Sequence, residues 1–246
     1  MIWSWSQLAE PVVDWLYPRV CPVATCGALS DRPGRYLCWN CYSKVDLVHA
    51  EDGLCEQCGF RVTGKVNHRF ICSACRAMRP SFDRARAASS FSGPLREVIH
   101  QFKYQRAVWL KHDLVDFLQG CLQTYFAVEE IDVVVPVPLH PVRVRERSYN
   151  QSALLATELA RRIDRRCDLH ALIRTRQTET QTHLNAVSRH QNMRGAFQVV
   201  LPEWVTRRCV LLVDDVMTTG ATVSACAQVL KKAGARTVWV VTVARG

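Results

Sequence analysis

No stretch of the 246-residue sequence is apolar for long enough to cross a membrane as a helix. Low-complexity tracts and repeats of fixed period are also missing, which excludes solenoids and fibrous architectures. Neither G-x-x-x-x-G-K-[ST] nor G-x-G-x-x-G occurs, so the phosphate loops of Walker NTPases and dinucleotide-binding folds are ruled out. No helix-turn-helix pattern is visible, which argues against a transcriptional regulator. The N-terminal run MIWSWSQLAEPVVDWLYP has no basic residue ahead of its hydrophobic part and is broken by Glu10 and Asp14. A short helix packed on the protein is expected there rather than a secretory leader, although Trp3, Trp5 and Trp15 would also suit a membrane surface.

Acidic residues are in deficit: 32 Lys and Arg stand against 22 Asp and Glu, a formal charge of +10. That balance favours anionic partners such as nucleic acid, nucleotides or phosphates. With 48% hydrophobic residues, the chain can bury a sizeable core and reads as one ordinary domain with a small module attached. Arginine is dense between Arg143 and Arg176. Arg161, Arg162, Arg165 and Arg166 fit a solvated helix face, whereas Arg143, Arg145 and Arg147 fall in a segment read as a loop.

Cysteine is abundant, and its distribution is uneven. Eight of the twelve cysteines form four close pairs before residue 76: Cys21/Cys26, Cys38/Cys41, Cys55/Cys58 and Cys72/Cys75. A C-x-x-C turn aims two thiolates at one point, and a second pair completes a tetrahedral sulfur site for Zn2+. Pairing neighbours in order gives Cys21, Cys26, Cys38 and Cys41 for one metal and Cys55, Cys58, Cys72 and Cys75 for another. The alternative groups Cys38, Cys41, Cys55 and Cys58, leaving the outer pairs to share an ion. Iron–sulfur ligation uses the same residues, and disulfides are the remaining option. With four thiolates per site, His49 and His68 read as surface histidines and the metal as structural. Cys121, Cys167, Cys209 and Cys226 are isolated and read as buried small residues. Tyr36, Trp39, Tyr42, Phe60 and Phe70 lie near the cysteine pairs and could stack on bases, but most are expected to pack inside the module.

From Phe82 onward, strand-like and helix-like segments alternate. FDRARAASSF and IDVVVPVP read as strands, LREVIHQFKY and WLKHDLVDFLQGCLQTYF as helices, and NQSALLATELARRI as a helix capped by Asn150. RRCVLLV then reads as a buried strand, ATVSACAQVLKKAG as a helix closed by Gly234, and TVWVVTVA as a final strand. Such alternation implies an α/β fold with a mostly parallel sheet covered by helices, and ligands at the carboxyl ends of its strands. After VLLV come Asp214 and Asp215, two acceptors for vicinal hydroxyls. Met217, Thr218, Thr219, Gly220, Ala221 and Thr222 follow, a hydroxyl-rich turn entering a helix and suited to an anion. Together they describe a site for a phosphorylated ribose. Arg143, Arg145 and Arg147 would hold a pyrophosphate on the other side of the sugar. The polar segment from Arg174 to Arg194 reads as a lid.

The paired cysteines, FDRARAA, IHQFKY, VPVPLHPVRVRERSYNQSALLA, RTRQTETQ, RHQNMRGAF and VLLVDDVMTTGAT together resemble the ComF/GntX family from Tyr17 to Arg245. That resemblance implies a double zinc ribbon over residues 1–80, with the short N-terminal helix, and a type I phosphoribosyltransferase fold over residues 81–246 that binds phosphoribosyl pyrophosphate (PRPP) with Mg2+. By matching motif, Asp214 and Asp215 hold ribose hydroxyls and serve as catalytic residues if the site turns over, Thr218–Thr222 hold the 5-phosphate, and Gln181, Arg189 and Asn192 lie in a hood. The family's association is with moving single-stranded DNA into the cytoplasm beside a competence helicase. The implied place is the cytoplasm, with a peripheral position at the inner membrane as its variant. An active phosphoribosyltransferase of nucleotide metabolism is the alternative. Two positions depart from the family pattern: Ser148 and Arg106 stand where glycine is common.

Overall fold

The computed structural model describes residues 16–62, 69–177 and 192–246. Outside these lie Trp3, Trp5, Trp15, His68, Gln181 and Arg189, and most of the segment expected to form a lid. Among the described residues, no helix is long and apolar enough to cross a membrane.

Two short helices, α1 (Trp39–Tyr42) and α2 (Ser73–Met78), belong to the cysteine-rich part. Then follow β1 (Arg84–Ser90), α3 (Gly93–Tyr104), α4 (Lys111–Tyr125), β2 (Val133–Pro136), α5 (Pro141–Arg147), α6 (Gln151–Arg162) and β3 (Arg166–Cys167). A small pair, β4 (Leu172–Arg174) and β5 (Phe197–Val199), precedes β6 (Cys209–Met217), α7 (Ala221–Lys232) and β7 (Thr237–Arg245). The main sheet has the order β1-β7-β6-β2-β3 and every pairing in it is parallel. β4 and β5 pair antiparallel outside it.

Central strands of such a sheet are covered on both faces, so they read as unbroken apolar runs. In β6, Leu211 and Val213 join the layer of α3, α4 and α6, while Val210 and Leu212 join the layer of α7. The two cysteine groups divide the same way. Cys21, Cys38 and Cys41 pack into the first layer, and Cys55, Cys58 and Cys75 into the second. The cysteine-rich part therefore clasps the sheet from both sides.

Asp113 fixes the first group. Fully buried on α4, it accepts Tyr36 N at 3.0 Å, Leu37 N at 3.1 Å and Arg32 Nη1 at 3.3 Å. Beside it Asp116 takes Arg32 Nη2 (2.9 Å), Arg35 Nε (2.6 Å) and Arg162 Nη1 (2.7 Å). Burial pushes the Asp113 carboxyl up. At Asp116 burial works the same way, but Arg35 and Arg162 outweigh it and hold the carboxyl below its ordinary value. Arg162 is thus no solvated residue: its side chain is 13% exposed and locked between α4 and α6, while Arg161 fits the expected open face at 70%.

Two further differences from the sequence reading concern the loops. Arg143, Arg145 and Arg147 lie on α5, a two-turn helix started by Pro141, not in an irregular loop. β6 continues through Met217, so Asp214 and Asp215 belong to the strand itself.

Both departures from family glycine fall on left-handed backbone. Ser148 terminates α5 at φ +72°, and Arg106 lies beyond the end of α3 at φ +56°. A Cβ in that region costs roughly 1–2 kcal/mol, and glycine recovers it less its own unfolded-state entropy of about 0.5–1 kcal/mol. Both side chains are exposed. Ser148→Gly and Arg106→Gly are each expected to stabilise the protein by about 0.5 kcal/mol, read as a higher urea midpoint at unchanged slope; a lower midpoint in both would refute the assignment of strain.

Candidate functional site

The cysteine sulfurs converge in the in-order pairing. Those of Cys21, Cys26, Cys38 and Cys41 all lie within 4.8 Å of one another, as do those of Cys55, Cys58, Cys72 and Cys75. The alternative grouping of Cys38, Cys41, Cys55 and Cys58 is not what the fold assembles. Zinc–sulfur bonds of about 2.3 Å in a tetrahedron require sulfurs about 3.8 Å apart. Cys26 and Cys38 are at 3.7 Å, and so are Cys58 and Cys72. Backbone N–H groups support the thiolates: Cys72 N reaches Cys55 Sγ at 3.3 Å and Cys75 N reaches Cys72 Sγ at 3.5 Å. Each donor set fits a zinc ion and leaves no open ligand position, so its chemistry is structural. Tyr42 stacks on Phe117 at 5.0 Å, as expected of a packed aromatic, but Trp39 and Phe60 are half-exposed.

The second constellation lies at the carboxyl end of β6. Asn150 caps α6, its Oδ1 accepting Ser152 N at 3.0 Å, and its Nδ2 donates to the carbonyl of Val137 beyond β2 at 3.1 Å. That cap places Ser152, whose Oγ donates to Asp214 Oδ1 at 2.7 Å. Lys103, in the last turn of α3, brings Nζ to 2.9 Å from Asp215 Oδ2. The contact lies outside hydrogen-bond directions, because the same buried Oδ2 has no hydrogen-bond donor among the described residues. Asp215 Oδ1 accepts Val216 N at 2.6 Å. That oxygen is ion-paired with Lys103, and its remaining lone pair is available to a hydroxyl donor.

Asp214 keeps some exposed surface but is densely enclosed by protein, and the enclosure governs its carboxyl. Burial first, then the adjacent Asp215, push it up to about 7, against the pull of Ser152 and Lys103. The chain then turns through Thr218 and Thr219 to Gly220, which caps α7 at φ +78°. A Cβ there would meet Met217 Sδ at 3.7 Å and Phe82 at 3.8 Å, ordinary contacts, so the backbone conformation rather than space calls for glycine. Ala221 N approaches Thr219 Oγ1 at 3.4 Å, closing the turn.

Of the three arginines on α5, Arg147 is tied to this region. It lies 4.8 Å over the ring of Tyr104, next to Lys103, and donates to Gln151 Oε1 at 3.0 Å, next to Ser152. Arg143 pairs with Glu146 at 2.8 Å on the open face, and Arg145 is exposed. Sequence reasoning missed Lys103, Ser152 and Arg174. Arg174, on β4, is lowered by burial, an effect that the nearby Asp214 partly offsets. The only signals for the first two were their places in IHQFKY and in NQS, just behind a helix cap. Of the presumed lid, the described ends are held together by Arg176, which donates to the carbonyls of Asn192 (2.7 Å) and Arg194 (2.8 Å).

Comparison with known proteins fits this arrangement. Residues 12–76 match the double zinc ribbon domain and residues 149–246 the phosphoribosyl transferase domain. DNA utilization protein YhgH of Escherichia coli (strain K12) is 34% identical over 221 residues, covering 83% of this chain and 94% of that protein. Competence protein F of Haemophilus influenzae is 32% identical over 214 residues, covering 85% and 90%. The chain belongs to the ComF/GntX family. Among solved structures, a glutamine PRPP amidotransferase of Bacillus subtilis is 22% identical with a TM-score of 0.37, covering 54% of this chain and 25% of that one.

The chain joins a double zinc ribbon to a phosphoribosyltransferase domain, and its two cysteine tetrads point to structural zinc. Elemental analysis is expected to find two zinc ions per chain. Cys41→Ser is expected to leave one, and a preparation that retains two would remove Cys41 from the ligand set.

Proposed function

We propose that this ComF-family protein binds PRPP at the end of β6 and serves as an accessory factor in DNA uptake during natural transformation. One observation carries the ligand: two adjacent acids at a strand end, Asp214 and the buried Asp215 with Lys103 against its Oδ2, stand one turn before the glycine-capped start of the twelve-residue helix α7. Asp214 and Asp215 would accept the vicinal hydroxyls of the ribose. Met217 through Thr222 would surround the 5-phosphate with backbone N–H groups and hydroxyls at the positive end of α7. Arg147, with Arg143 and Arg145 on the same helix, would face the pyrophosphate. Mg2+ bound with PRPP would spread the charge of that group. On this reading residues 1–80 form the zinc-ribbon module and residues 81–246 the PRPP domain.

The role in DNA handling draws on the names of the relatives, a competence protein and a DNA utilization protein, and on the chain's charge of +10. Single-stranded DNA and a competence helicase are the partners this role calls for, in the cytoplasm or at the inner face of the membrane. The second reading, a phosphoribosyltransferase of nucleotide metabolism, rests on the same acids and needs no DNA.

Binding is the first test. PRPP with Mg2+ should bind in calorimetry, and Asp215→Asn should weaken it at least tenfold. A ribose held by two carboxylates displaces the proton that Asp214 retains near neutrality, because its carboxyl is raised to about 7. Affinity should therefore rise from pH 6 to pH 8, with proton release on binding at the lower pH. A flat profile would show that Asp214 does not meet the ligand as a carboxylate. Pyrophosphate release is the second test. Turnover with a free base and none with DNA favours the metabolic reading, and binding without turnover favours the accessory one.

A further inference from the structure

A cavity of about 200 Å³ separates the second cysteine tetrad from the turn that opens α7. Its volume is more than ten times the roughly 15 Å³ that one water needs. Phe60, Met78, Phe82 and Met217 form apolar walls, Thr218 to Gly220 close one side, and Arg245 stands beside Phe60. Three features narrow the occupant. Thioether and aromatic walls favour a flat, polarisable group over water. Phe60 is 46% exposed, so much of its side chain is uncovered at the cavity. The Arg245 guanidinium lies 5.5 Å over that ring and spends one N–H on the Cys58 carbonyl, at 2.5 Å. Its other donors remain for an acceptor on the occupant's edge.

We propose that this cavity seats a nucleobase, stacked on Phe60 and hydrogen-bonded by Arg245, with the second zinc ribbon as its outer wall. The seat excludes Asp214 and Asp215 but shares Met217 to Gly220 with the turn proposed above for the 5-phosphate; it requires no turnover. A base here rests against the Thr218–Gly220 turn, so the ribbon and the turn meet through the bound ring. The ring can arrive as a free nucleoside or as one unstacked base of a single strand, and the chemistry of recognition is the same.

The test uses the full-length zinc-loaded chain and 2-aminopurine, whose fluorescence reports burial and stacking, offered as the deoxynucleoside and inside a short single strand. A saturable change with the nucleoside supports recognition of the ring itself; a change with the strand alone assigns the seat to a base of single-stranded DNA. Ala74 is exposed on α2 and borders the cavity, so Ala74→Trp places a bulky ring in it. Ala74→Trp and Phe60→Ala should each weaken binding about tenfold, the scale of one stacked base. Because stacking is not ionic, the dependence on salt should keep its slope. Zinc content and melting temperature establish that each variant is folded. Unchanged affinity in Phe60→Ala, or no saturable signal with either probe, overturns the proposal.

Discussion

Two adjacent carboxyl groups at a buried strand end set the terms for everything around them. Like charges so close, with little water between them, cannot both ionise cheaply, and the fold answers with two different partners. Ser152 donates to Asp214, and Lys103 stands against Asp215. Each partner needs its own support: Asn150 caps the helix that carries Ser152, and α3 must end where Lys103 reaches inward. The result is asymmetric. Asp214 is drawn toward its protonated form, while Asp215 is ion-paired with Lys103 through an oxygen that accepts no hydrogen bond among the described residues. Structures hold such tension where a ligand completes the hydrogen bonding.

The cysteine-rich part is subject to another constraint. A module that small has too little apolar surface to fold alone, and metal ligation replaces a core. Ligation alone does not orient the module. Asp113 does so from α4 by accepting two backbone N–H groups of the segment between Cys26 and Cys38, together with Arg32. Burying that carboxylate is costly, and removing a partner would leave a charge or two amides without one. The network continues through Asp116 and Arg162 into α6, the helix whose other end holds Ser152. Ribbon docking and acid positioning therefore rest on the same helix.

Much of this was legible because it depends on local pattern. The strands announced themselves as apolar runs, Asn150 as a cap, Gly220 as the residue before a helix, and the cysteines by spacing. What escaped depends on long-range geometry. Nothing local in IHQFKY says that Lys103 meets an acid more than a hundred residues later. The three arginines after Pro141 follow the proline-rich VPVPLHP, whose pattern does not distinguish a loop from a helix that begins with proline. RRCVLLV reads as a strand only as far as Val213; aspartate is disfavoured in strands, and the parallel pairing of Asp214 with Thr242 overrides that preference. Arg162 looked solvated because helix periodicity cannot show which neighbour comes to meet a charged face.

Glycine replacement gives the same lesson from the other side. Ser148 and Arg106 stand where the family pattern has glycine, and only the backbone shows that the pattern answers to left-handed conformation. Both strained residues flank the site: Ser148 ends the helix bearing Arg147, and Arg106 follows the lysine that meets Asp215. Strain of this kind persists where surrounding contacts over-determine the backbone. Here the contacts are identifiable. Tyr149, next to Ser148, hydrogen-bonds through its hydroxyl to the carbonyl of Phe102, and Arg147 lies over Tyr104. The end of α3 and the end of α5 thus lock each other, and the lysine that meets Asp215 lies between the two residues of α3 that make these contacts.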